Sequence, residues 1–193
     1  MKIIEEIMHN VFSAADGNLN RLTAGRMRVK YEGCQYSSLE EITSLDGGEE
    51  DIVSGVGMTL MASPTLMMLM VFTPEARLGA ARILLGEGGL SNAELVDSVL
   101  QEIGNIFGSA LANGLAKYLD EQVKTSPPEV AMDMAGSMLA SIVGSVPDLG
   151  DEILLLNMRL ETGDSDSACG IHIFFDEKLR EKIDALPSVI SSE

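Results

Sequence analysis

Ser98-Val99-Leu100-Gln101-Glu102-Ile103-Gly104-Asn105 opens an apolar-periodic run that reaches Lys117 and gives way to Ser126-Pro127-Pro128. Ser98, Glu102 and Asn105 stand at i, i+4 and i+7, so a helix places all three on one face. A carboxylate beside an amide on a Gly/Ala-rich helix is an odd choice for a core. It suits a water molecule and a cationic partner. Taken alone, such a pair is more often an ordinary solvated face, so the surrounding chain has to decide.

Working outward from this helix, Ser91-Asn92-Ala93-Glu94 reads as a capping box that opens it, with an end near Leu119. Gln122 to Val130 is extended and interrupted by the proline pair. A helix from Met134 to Val146 follows. A hairpin of Ile153–Thr162 and Cys169–Phe175 then turns through Gly163-Asp164-Ser165-Asp166, and Asp176 caps a last helix to about Leu186. The preceding part of the chain shows the same order. Residues 2 to 24 are helix-periodic, and Met27 to Tyr31 alternates as a short strand. Ser37-Ser38-Leu39-Glu40-Glu41 signals a brief helix, and Gly47 to Asp51 a loop. Val53–Ala62 and Leu66–Phe72 form a hairpin, after which Thr73-Pro74-Glu75 starts a helix that stops at Gly86. Phe72-Thr73-Pro74-Glu75 matches Phe175-Asp176-Glu177, and Arg28-Val29-Lys30 matches Gln122-Val123-Lys124. The expectation is one α+β domain over residues 1–193. Its pseudo-repeated halves, 1–88 and 89–193, share a continuous antiparallel sheet with long helices packed on it.

Composition narrows the partners. Thirteen basic against 30 acidic residues give a net charge of −17, which repels nucleic acid and anionic lipid and favours a basic protein surface. The chain is 46% hydrophobic, enough for a substantial core. Cys34 and Cys169 are far apart and read as reduced packing residues. His9 and His172 are isolated, so no metal site or Ser/His triad is expected. Asp164 and Asp166 lack the spacing of a calcium loop and read as a turn. Glu49-Glu50-Asp51 reads as a solvated loop. Gly104, Gly108 and Gly114 read as close helix packing, and the twelve methionines, Met67, Met68 and Met70 among them, as adaptable core. No signal peptide or membrane-spanning stretch is visible, and a cytoplasmic location is expected.

With these residues in place, the chain resembles the CheC, CheX and FliY phosphatases of chemotaxis, and CheC most of all. The family pattern is Asp or Ser, three residues, Glu, two residues, Asn, then 22 residues and Pro. Ser98, Glu102 and Asn105 fit it, and the 22 residues from 106 to 127 lead to Pro128. Such proteins typically carry the pattern in each half. Here the first helix supplies Glu6 with His9 in one register and Ile7 with Asn10 in the other. Neither register reaches a proline, so the first half reads as degenerate.

The resemblance implies hydrolysis of the aspartyl phosphate of a CheY-type response regulator at one site, in the second half. Glu102 and Asn105 carry the catalysis, and Ser98 and Pro128 shape the docking of the regulator. It implies no cofactor in this chain, since magnesium belongs to the regulator. It also allows two alternatives: a non-enzymatic interaction module of the flagellar-switch kind, or a regulator that binds CheD through the helix after Pro128, using Ala135, Gly136 and Met138.

Overall fold

The computed structural model describes residues 2–38, 48–61, 66–145, 152–161, 166–175 and 177–185. In chain order the elements are α1 (Lys2–Leu22), β1 (Arg28–Ser38), β2 (Ile52–Met61), β3 (Leu66–Phe72) and α2 (Pro74–Leu85). After a single 3-10 turn come α3 (Ala93–Leu119), β4 (Lys124–Thr125), β5 (Glu129–Met134), α4 (Ala135–Val143), β6 (Glu152–Glu161), β7 (Asp166–Phe174) and α5 (Glu177–Asp184).

Among the described residues, seven strands form one antiparallel sheet in the order β1-β6-β7-β3-β2-β4, with β5 also paired to β2. The β6–β7 hairpin therefore lies between β1 and β3, and the two halves of the chain interleave in one sheet. The expected α+β architecture is the one observed. Alternation along β2 sorts its side chains. Val56, Met58 and Leu60 join the main core beneath α1, α3 and α5, while Val53 faces a smaller core under α4. Met68 and Met70 are fully buried, as a core role requires.

The helix starts follow their sequence signals with one correction. The Thr73 hydroxyl accepts from Ala76 N at 3.2 Å with Pro74 behind it, as expected. At α3 the cap is Asn92, not Ser91. Its side chain accepts from Leu95 N at 3.2 Å, which leaves Glu94 one place too early to close a capping box. Strand β1 runs to Ser38, well past Tyr31. A bulge between Tyr31 and Gly33, with Gly33 at φ +131°, breaks the alternation and lets the strand continue against β6. Ser37 and Ser38 thus belong to a strand, and Leu39 to Glu41 lie outside the described residues. Strand β7 begins at Asp166, earlier than Cys169. Gly163, Asp164, Ser165 and Asp176 lie outside the described residues, as does Val146 at the expected end of the helix now seen to close at Val143.

Helices α1 and α3 pack antiparallel. Phe12 meets Phe107 edge-on at 5.5 Å, and a Cβ added to Gly114 would come within 2.7 Å of Val11 Cγ2. The end of α1 is tied to β1 by Asp16. Its carboxylate accepts from Arg28 Nε and Nη2 at 3.0 and 2.8 Å and from Val29 N at 2.8 Å. Burial raises the Asp16 pKa, but these hydrogen bonds and the Arg28 charge outweigh it and hold the group below the usual carboxylate value. Among the described residues no helix is long and apolar enough to cross a membrane.

Candidate functional site

The site is built on α3. One face of this 27-residue helix buries Val96, Val99, Leu100, Ile103, Phe107, Leu111 and Leu115. Ile106 is half-buried at the border of that core. On the opposite face Ser98, Glu102 and Asn105 are all exposed, as their spacing dictates. Leu95 continues the same stripe one turn toward the N-terminus and is also exposed.

Glycines set the height of this helix above the sheet. A Cβ on Gly104 would lie 2.5 Å from Val56 Cγ1 and 3.5 Å from Pro128 Cβ, and one on Gly108 would collide with the Met58 thioether. Only residues without a side chain let α3 approach β2 this closely. Because Gly104 stands between Glu102 and Asn105, the contact that seats the helix also positions the pair.

Pro128 serves this seating. It is half-buried just before β5 and abuts the flank of α3 at Gly104, so it does not share the exposed stripe. Ser126 anchors the segment. Thr59 N donates to Ser126 Oγ at 3.0 Å, and Ser126 N donates back to Thr59 O at 2.8 Å. Pro127 and Pro128 then bring no N–H to the ladder, which is why β4 ends at Thr125 and β5 starts at Glu129.

The polar atoms of the stripe differ in their engagement. Ser98 Oγ donates to Glu94 O at 2.8 Å, which satisfies its hydrogen within the helix and leaves its oxygen able to accept. Among the described residues, Glu102 and Asn105 make no side-chain hydrogen bond or ion pair. A carboxylate and an amide one turn apart, about 5–6 Å between Cβ atoms, are thus directed at solvent and at whatever docks. Asp97, on the flank, is already paired with Arg77 at 2.9 Å.

The first half looks different. Tyr118 of α3 donates to Glu6 Oε1 at 3.1 Å, and Asn10 Nδ2 donates to Tyr118 Oη at 3.4 Å. Burial and the neighbouring Glu6 carboxylate raise the Tyr118 pKa, so the phenol stays protonated as the donor. The pair on α1 that most resembles Glu102 and Asn105 is therefore occupied from within the molecule. The sequence held no signal for this latch, because its partners lie 112 residues apart. His9 is exposed beside it. The cysteines offer no competing nucleophile: Cys169 is buried, and burial pushes the Cys34 thiol up to about 11.

Comparison with known proteins shows a likeness to CheC-like proteins. The model of the CheC-like family matches residues 95–132, a span that holds Ser98, Glu102, Asn105 and Pro128. A Halobacterium salinarum protein named CheC1, described as a candidate CheY-P phosphatase, is 21% identical over 196 residues, covering 100% of this chain and 95% of its own. Among solved structures, Thermotoga maritima FliY superposes with a TM-score of 0.70 at 16% identity, covering 94% of this chain and 91% of FliY. FliM of H. pylori, solved in complex with SpeE, superposes with a TM-score of 0.70 at 10% identity over 97% of this chain and 95% of its own. The structural likenesses establish the fold, and the resemblance read from the motif agrees with the family match and with the CheC1 relative.

Proposed function

We propose that this chain hydrolyses the aspartyl phosphate of a CheY-type response regulator, using one site on α3. The observation that carries the reading is the exposed pair Glu102 and Asn105. Among the described residues neither has an intramolecular partner, and they stand on a helix whose seating glycine and Pro128 fall inside the family match. An acyl phosphate is already activated, so the catalyst needs no strong base. Asn105 offers both a donor and an acceptor and holds a water in line with the bond to be broken. The water oxygen attacks phosphorus, the bond to the regulator's aspartate breaks, and inorganic phosphate leaves. Glu102 pairs with the lysine beside the regulator's phosphate and fixes the docked geometry. Magnesium stays with the regulator as part of the substrate.

Ser98 borders this surface, and Pro128 supports it from below. The halves 1–88 and 89–193 act as a closed unit and an open one. The test is incubation with a phosphorylated CheY-type regulator, following phosphate loss with and without the protein. No acceleration refutes the reading. The likeness to FliM favours a second reading, a non-enzymatic switch module that binds a regulator without hydrolysing it. Regulator bound but not dephosphorylated selects that one. A CheD contact on α4 would have to use Ser137, Ala140 and Ser141, which are exposed, because Ala135 and Met138 are buried against the sheet.

A further inference from the structure

Among the described residues, β5 is an edge strand, and it leaves large apolar side chains in solvent. Met132 is 65% exposed and Met134 41%, and Ile52 across the ladder is 50% exposed. The register shows which side they occupy. Val130 pairs with Val56, Met132 with Ser54 and Met134 with Ile52. Val56 points at α3, so alternation puts Ile52, Met132 and Met134 on the same face of the sheet as α3.

Their level along the helix follows from two contacts. Gly104 sits on Val56 and Gly108 on Met58. Four helical residues, about 6 Å, therefore advance with two strand residues, about 7 Å, and α3 runs parallel to β2. Ser54 then lies level with position 100, midway between Ser98 and Glu102. Met132, opposite Ser54, lies at that level one strand spacing further out, about 5 Å away.

We infer that Met132, Met134 and Ile52 form an apolar ledge on which the same regulator docks when it presents its phosphate to Glu102 and Asn105. The inference rests on the proposed function. A standard protein interface covers about 800 Å² per partner, a disc of roughly 16 Å radius. A receiver domain of that size centred on Glu102 extends past the level of Met132. The ledge adds apolar area to the one apolar side chain of the stripe, Leu95. Ser98, Glu102 and Asn105 give charge and direction, but exposed polar contacts alone hold little affinity, whereas buried apolar anchors hold much. Methionine is unbranched and polarizable, so it moulds to an apolar patch next to the phosphate site of more than one regulator. Exposed apolar side chains on an edge strand also invite aggregation, which gives a reason to expect a regular occupant.

The test replaces Met132 and Met134 together by Gln, which keeps length and removes apolarity. Met61→Gln is the control, since Met61 is 48% exposed but points to the opposite face of β2. Binding of a CheY-type regulator loaded with the phosphoryl mimic beryllofluoride is measured beside single-turnover hydrolysis at saturating protein. The double variant is expected to bind about tenfold more weakly and, once saturated, to hydrolyse within about twofold of the parent rate; the control binds as the parent does.

Parent hydrolysis with unchanged binding in the double variant overturns the ledge and leaves the proposed function standing. Parent binding without hydrolysis, lost in the double variant, supports the ledge while the phosphatase reading falls. A parent that neither binds nor hydrolyses removes both. A parent dimer that dissociates in the double variant, with regulator affinity unchanged, gives the ledge to a second copy of the chain and overturns the inference.

Discussion

Gly104→Ala tests whether the seating of α3 governs the site. In a free helix this change is favourable by about 1 kcal/mol. Here the new Cβ would lie 2.5 Å from Val56 Cγ1, where ordinary contact begins near 3.4 Å. The helix must rise by about 1 Å, and packing strain of this kind costs roughly 1–3 kcal/mol. The net expectation is a stability loss of about 0–2 kcal/mol from these two effects, read as a lower denaturant midpoint. Glu102 and Asn105 flank the substituted residue and rise with it. A misplacement of about 1 Å is enough to slow positioned chemistry by about 100-fold. Single-turnover hydrolysis of a phosphorylated regulator should therefore fall far more than stability does. Adding Val56→Ala removes the colliding methyl and should recover much of the rate. If Gly104→Ala raises stability by the full helical propensity and leaves hydrolysis unchanged, α3 is not seated on Val56 as described.

Asn105→Ala should slow the chemical step by about 100-fold while regulator binding stays near normal, because the amide positions water rather than the partner. Glu102→Ala should weaken docking by about 1.5–3 kcal/mol, or roughly 10- to 100-fold in Kd. Glu102→Gln should also lose affinity, and full retention would show that no cation is met there. His9→Ala and Asn10→Ala should leave turnover nearly unchanged, and a large drop in either would reveal a working site on α1. Asp16→Asn should lower the melting temperature at neutral pH. A depressed carboxylate pKa contributes stability above its unfolded value of about 3.9 and loses it as pH falls through the lower folded value. The gap between parent and variant should thus close as pH falls below the unfolded value, and a gap independent of pH would refute the Asp16 clamp.

Local signals were legible where the chemistry is local. The hairpin from Ile52 to Phe72 and the Thr73-Pro74 start of α2 follow from alternation and capping alone. The Glu102 and Asn105 face follows from helical spacing, because residues three apart on a helix must be neighbours. The start of α3 was harder, since Ser91 and Asn92 can each cap and the choice depends on how the preceding turn packs. Strand β1 was cut short because the bulge before Gly33 interrupts the period that would have revealed it. The methionines of β5 were read with the core ones, as composition cannot tell Met70 from Met132. Their difference lies in the strand order, which leaves β5 at the edge and β3 in the middle of the sheet.

The two helices show why one half is open and the other closed. Shifting the chain by the 96 residues between Glu6 and Glu102 lays Leu22 on Tyr118. Tyr118 ends α3 with a phenol that reaches back across the antiparallel crossing to Glu6 and Asn10. Leu22 ends α1 with a side chain that can neither donate nor accept, and it is 43% exposed. In the antiparallel pairing, Phe12 beside Phe107 brings Gly17 level with Glu102, and Glu6 beside Tyr118 brings Leu22 there. Gly17 projects no side chain, and a Cβ built there meets nothing within 4 Å. Among the described residues, no side chain of α1 bonds Glu102 as Tyr118 bonds Glu6. An exposed carboxylate without a partner costs little in water but remains available to a cation. The asymmetry between the two pairs thus comes from the residues that end the opposing helices as much as from the pairs themselves.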